Sequence, residues 1–250
     1  MSEKYTAVNG FIVVDEDWGC AFEQLSASPE FPEIKLCHVS VSDVRKMAGK
    51  LSQQVLDTSW MTGLDYGAQQ AYEYTVNETA GMLSQVFKQA NPDDPVSAEF
   101  GEMMVSMGAG RGLNQIYNHI QLPISELWKF QIKGNEGFDF HTVCPSELLN
   151  FGEAKYSGSK NPHGLAMSQI KDFLDQEKYI RDYIHLLHIA PEGNSVDNLT
   201  QRVFGVVAAF SINSDNYASI LENALKTAVG LFNDSQASAV YVVGVSCEDN

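Results

Sequence analysis

Asp139 stands in the run GFDFH, and fourteen residues later Glu153 and Lys155 stand in FGEAK. Residues two apart on a strand point to one face. Glu153 and Lys155 are therefore neighbours if FGEAK is extended, and a hairpin lets Asp139 reach the same face. Two carboxylates suit a hard divalent cation, since Mg2+ takes one or two of them and keeps several waters. Such an ion polarises a phosphoryl oxygen and activates a bound water. An ammonium beside it can orient that water or stabilise the developing negative charge. These residue types thus point to metal-assisted hydrolysis of a phosphodiester. Gly152 permits close backbone approach, and the carbonyl of Ala154 is a further oxygen donor between the two side chains. A solvated Glu–Lys pair on a surface hairpin would carry the same triplet. Here, however, Leu148, Leu149 and Phe151 precede Glu153, and Phe138 and Phe140 flank Asp139, so burial is expected at both carboxylates.

The elements that must position these residues follow from periodicity and turn chemistry. GFDFHTV at 137–143 and LLNFGEAKYSG at 148–158 read as strands. SELWKFQIKG at 125–134 reads as a strand before them, with Asn135 to Gly137 as the turn. Ser97 is placed to cap a helix beginning AEFGEMMVSM, with Glu99 near its N-terminus. Gly108, Gly110 and Gly112 are expected to interrupt or end that helix. No Lys-Ser/Thr follows them at phosphate-loop spacing, so no nucleotide cofactor is expected. After the SKNPHG loop come a helix over 165–180 and a strand over 183–190. Helices at roughly 196–210 and 215–231 and a closing strand over 237–245 complete this part. Earlier in the chain, 33–43 alternates as a strand, Ser42 or Asp43 can cap a helix through about Leu56, and 76–89 is helical. The Pro- and Asp-rich segment NPDDPVS at 91–97 divides a region 1–92 from a region 93–250.

Asp139 followed by Glu153-Ala154-Lys155, behind a helix bearing Gly101-Glu102, resembles the PD-(D/E)xK nuclease superfamily. The order helix, three strands, helix, strand from residue 97 is similar to that superfamily's core. The resemblance covers about residues 97–190, with Phe138 where a proline is usual. It implies an α/β fold: a restriction-endonuclease-like core with an N-terminal α/β region. It also implies that Asp139 and Glu153 bind Mg2+ or Mn2+, that Glu102 completes the metal site and that Lys155 assists the attacking water. Gln169 resembles the glutamine of a RecB-like subgroup, whose tyrosine one turn later is replaced here by Phe173. The layout of the whole chain resembles the nuclease subunits of Hachiman anti-phage defence systems. That likeness implies DNA as substrate and a helicase subunit as partner, with residues 1–92 available for docking.

The charge bears on that expectation. The 250 residues carry 32 acidic and 16 basic side chains, a net charge of −16. Residues 123–182 hold 9 acids and 7 bases, against 16 and 7 in 1–122 and 7 and 2 in 183–250. Basic residues are densest around the proposed site but nowhere in excess. Nucleic-acid binding draws chiefly on phosphate neutralisation, so the chain alone should bind DNA or RNA weakly and a basic partner would compensate. No run of 18 apolar residues exists, MSEKYTAVNG lacks the pattern of a signal peptide, and the four cysteines are scattered. A cytoplasmic protein with free thiols is expected. His141, two residues after Asp139, is weighed as a phosphate or water contact against polar packing. His163, Lys160 and Lys171 are weighed as nucleic-acid contacts against plain surface residues. Two other functions stay open at this point: a nuclease-fold scaffold that docks a helicase, and an enzyme acting on RNA.

Overall fold

A computed structural model of the chain describes residues 8–26, 31–88, 97–129, 137–233 and 235–247. Its strands are β1 (Val8–Asp15), β2 (Cys20–Ser26), β3 (Ile34–Val41), β4 (Ile120–Gln121), β5 (Phe140–Val143), β6 (Leu149–Lys155), β7 (Gly205–Ile212) and β8 (Ala239–Cys247). They form one sheet in the order β1-β2-β3-β8-β7-β6-β5-β4. β3, β8, β7 and β6 are mutually parallel, and an antiparallel hairpin flanks them on each side. The sheet crosses the division expected at 91–97, because β3 pairs with β8 from Ile34↔Val240 to Val41↔Cys247. The expected boundary itself lies outside the described residues except for Ser97.

The helices are α1 (Val44–Leu56), α2 (Tyr66–Lys88), α3 (Ala98–Tyr117), α4 (Ser125–Trp128), α5 (His163–Asp175), α6 (Tyr179–Ile189), α7 (Ser195–Thr200) and α8 (Tyr217–Phe232). α3 lies across one face of the sheet, and α5 and α8 pack side by side on strands β6, β7, β8 and β3. The Asp43 carboxylate accepts the Lys46 N–H and starts α1, while Ser97 Oγ accepts the Phe100 N–H and starts α3. Cys20, Cys37 and Cys144 are buried free thiols. Among the described residues, no helix is long and apolar enough to cross a membrane.

Four expectations are corrected. α3 runs unbroken through Gly108, Gly110 and Gly112 to Tyr117, and Asn118 caps it in the left-handed conformation. Helical glycine costs up to about 1 kcal/mol relative to alanine, but these glycines are buried at close contacts, Gly108 with Met47 of α1, Gly110 with Gln121 of β4 and Gly112 with β3. A Cβ on Gly112 would stand 3.0 Å from Val39 and 3.2 Å from Cys37. Residues 125–128 are a helical turn rather than strand, and 130–136 lie outside the described residues. The segment 183–190 is the body of α6; its apolar residues cover more than one helix face, which reads as a continuous apolar run. Finally, 205–210 is strand β7 rather than the end of a helix. β7 is buried along its whole length, and a strand covered on both faces has no alternation to betray it.

Candidate active site

The register Phe140↔Gly152 brings Asp139 opposite Glu153 at the end of the β5–β6 pair. The Phe140 ring lies over Gly152, where a Cβ would clash with it; this is the close approach the glycine permits. Backbone bonds fix Asp139 tightly. Its N–H donates to Gly152 O at 2.8 Å, and its carbonyl accepts the Ser125 N–H at 3.1 Å. Its Oδ2 accepts the Ala154 N–H at 2.7 Å. Lys155 Nζ donates to Glu153 Oε1 at 2.6 Å, as strand alternation requires of neighbours on one face. Glu153 is fully buried, and its Oε2 has no hydrogen-bond partner. An unpartnered buried carboxylate oxygen costs free energy, so this atom marks where a cationic or donor ligand would be stabilised.

The electrostatics describe a cluster with more carboxyl groups than ammonium groups. Burial, then the Asp139 charge, pushes the Glu153 carboxyl up to about 9, against the pull of Lys155. Burial likewise raises Asp139 to about 6; the Ala154 N–H and Lys155 oppose the rise and Glu102 adds to it. Burial works against the Lys155 charge, but Glu153, Asp139 and Glu102 outweigh it and raise the ammonium above its ordinary value. Glu102 is exposed on the second turn of α3, yet its charge acts on all of these groups. α3 is held there by Gly101, which lies flat against the Tyr156 ring just beyond β6 and has no room for a Cβ.

Asp139, Glu153, Lys155 and Glu102 are thus brought into one electrostatic cluster. Gln169 is not joined to it by any hydrogen bond among the described residues; it is half-buried on α5. His141 is fully buried and bonds Asp182 Oδ2 through Nε2 at 3.0 Å and Ser125 Oγ through Nδ1 at 3.3 Å, which is polar packing. Lys171 pairs with Asp175 on the surface of α5 at 2.9 Å. His163 packs on Phe210 at the start of α5.

No protein-family model, curated protein or solved structure matches the chain. The chemistry of the site therefore rests on its own residues. Among the described residues, no three carboxylate, imidazole or thiolate groups already form a closed metal-ligand set. The donors that do approach one another are oxygens, which suits Mg2+ or Mn2+ rather than a soft metal.

Three residues of the neighbourhood were missed in the sequence. Glu126, on α4, is pushed up to about 7 by burial and then by Asp139, with Glu102 adding to the rise. Lys129 Nζ donates to Phe138 O at 2.7 Å and pairs with Asp182 at 2.9 Å. Burial alone would raise Asp182, but His141 and Lys129 together hold it below the ordinary carboxylate value. Reading 125–134 as a strand hid Glu126 and Lys129. A helical turn of four residues is too short to show a period in the sequence.

Proposed function

We propose that this protein is a metal-dependent nuclease of PD-(D/E)xK type, hydrolysing DNA phosphodiester bonds with Asp139, Glu153 and Lys155. The observation that carries this reading is the buried, unpartnered Oε2 of Glu153, beside Asp139 and a lysine, in a cluster rich in carboxyl groups. The element order supports it. Helix α3 is followed by the two-residue strand β4, the short helix α4 and the antiparallel strands β5 and β6, then by helices, and then by β7 parallel to β6. With β4 standing where a strand over 125–134 was expected, that order is similar to the superfamily's core, a likeness by analogy of fold.

Asp139 and Glu153 would hold Mg2+ or Mn2+, with Glu102 closing the set from α3. A bound ion supplies Lewis acidity toward the phosphoryl group and lowers the pKa of a bound water. The residues supply the rest. Beside a cation, Asp139 and Glu153 would both serve as ionised oxygen donors. Lys155, held on Glu153 Oε1, would supply an ammonium to orient water and stabilise developing charge. The charge of −16 works against a polyanionic substrate. The fitting assignment is the effector subunit of an anti-phage defence complex in which a helicase partner holds the DNA.

Duplex DNA, single-stranded DNA and RNA incubated with Mg2+ and then with EDTA test the substrate. Metal-dependent loss of intact DNA is expected. Cleavage of RNA alone would move the substrate to RNA. Absence of metal-dependent cleavage on every substrate, with no heat of Mn2+ binding, would overturn the reading and leave a scaffold that docks a helicase.

A further inference from the structure

The segment that carries Asp139 is gripped from outside the β5–β6 hairpin by a closed circuit of polar groups. Lys129 Nζ donates to the carbonyl of Phe138 at 2.7 Å, one peptide before Asp139. The same ammonium pairs with Asp182 Oδ2 of α6 at 2.9 Å. Asp182 Oδ2 also bonds His141 Nε2 at 3.0 Å, and His141 Nδ1 meets Ser125 Oγ at 3.3 Å. The Lys129 N–H closes the circuit on Ser125 O at 2.8 Å, and the Ser125 N–H reaches Asp139 O. The side chains of Asp182 and His141 are 6% and 0% exposed, and that of Lys129 18%, so little water competes for these bonds. A half-buried ammonium of this kind costs some desolvation, which its hydrogen bonds offset.

Resting on the nuclease reading, we infer that Lys129, locked by Asp182 and His141, is a positioning residue for Asp139. Two consecutive carbonyls, of Phe138 and Asp139, are fixed by donors from the 125–129 segment, while β6 fixes the Asp139 N–H and Oδ2. The free oxygen of the carboxylate is thereby aimed without the side chain choosing among rotamers. Groups that orient a metal ligand typically change metal affinity or activity about 10–100-fold when removed.

The test compares wild type, Lys129→Gln and Lys129→Met by calorimetric Mn2+ titration and by DNA cleavage kinetics, with circular dichroism as the check on folding. Glutamine keeps an N–H donor for Phe138 O and loses the charge; methionine keeps only the stem. Mn2+ affinity and kcat are expected to fall in the order Lys, Gln, Met, by about 10–100-fold at Met, with KM for DNA unchanged. Wild-type affinity and kcat in Lys129→Met would overturn the inference. So would equal losses in Gln and Met, which would mean that only the ion pair matters. A rise in KM alone would also overturn it and would make Lys129 a phosphate contact. If Lys129→Met does not fold, Lys129→Gln decides, since an unchanged Mn2+ affinity there refutes positioning and a partial loss supports it. A wild-type protein with no Mn2+ site that Asp139→Asn removes would instead refute the nuclease reading itself.

Discussion

Replacing Glu153 by glutamine should make the metal-free protein more stable while abolishing its activity. The reason lies in linkage. The Glu153 carboxyl ionises near 4.5 in the unfolded chain and near about 9 in the folded one, chiefly because it is buried and faces Asp139. Below pH 4.5 both states hold the proton and the group makes its full contribution. As pH rises from 4.5 through 9 the unfolded chain loses the proton first, so stability drains away across that window. At pH 8 the upper bound on the loss is about 5 kcal/mol, at roughly 1.4 kcal/mol per pH unit. Asp139 and Lys155 share the interaction, so a single substitution should recover only part of it, on the order of 2 kcal/mol. For a chain of this size that corresponds to a rise in Tm of roughly 4–8 °C. Differential scanning calorimetry of both proteins in EDTA at pH 5 and pH 8 checks it. The gap between them should open at pH 8 and nearly close at pH 5. Added Mn2+ should raise the Tm of wild type and not of Glu153→Gln, because only a group that binds the ion links it to folding. A Glu153→Gln protein that melts lower than wild type at pH 8 would refute the reasoning.

Three further outcomes are expected. Lys155→Met should reduce cleavage by about 100–1,000-fold while calorimetry still detects Mn2+ binding, because the ammonium is not a ligand. Gly152→Ala should cost about 1–3 kcal/mol in urea unfolding, since the new methyl meets the Phe140 ring and must push it aside. Asp182→Ala should destabilise by about 2–4 kcal/mol, leaving His141 buried and the Lys129 ammonium half-buried without their shared anion.

Much of the site was legible because strand geometry is local. The alternation that puts Glu153 and Lys155 on one face needs only the sequence FGEAK, and the Asp139–Glu153 pairing needs only a hairpin between two apolar strands. Helix starts at Asp43 and Ser97 were equally local, since capping side chains announce them. The failures all come from tertiary context. The glycines of α3 look like a break but let the helix lie close on its neighbours, Gly108 on Met47 of α1, Gly110 on Gln121 and Gly112 on β3. Apolar runs such as 205–212 and 183–190 give no period to separate a strand buried on both faces from a helix, and the structure assigns one to each. Glu126, Lys129 and Asp182 were illegible for another reason. Each is an ordinary charged residue in sequence, and only the meeting of α4, α6 and the start of β5 gives it a role beside Asp139. Gln169 shows the opposite case, a residue suggested by resemblance that no hydrogen bond ties to the cluster.

The most direct test of the central claim is the rate of Mg2+-dependent cleavage of linear duplex DNA by wild type and Asp139→Asn, purified side by side. The account predicts cleavage by wild type that EDTA stops and that Asp139→Asn lacks. Equal cleavage by both proteins would contradict it.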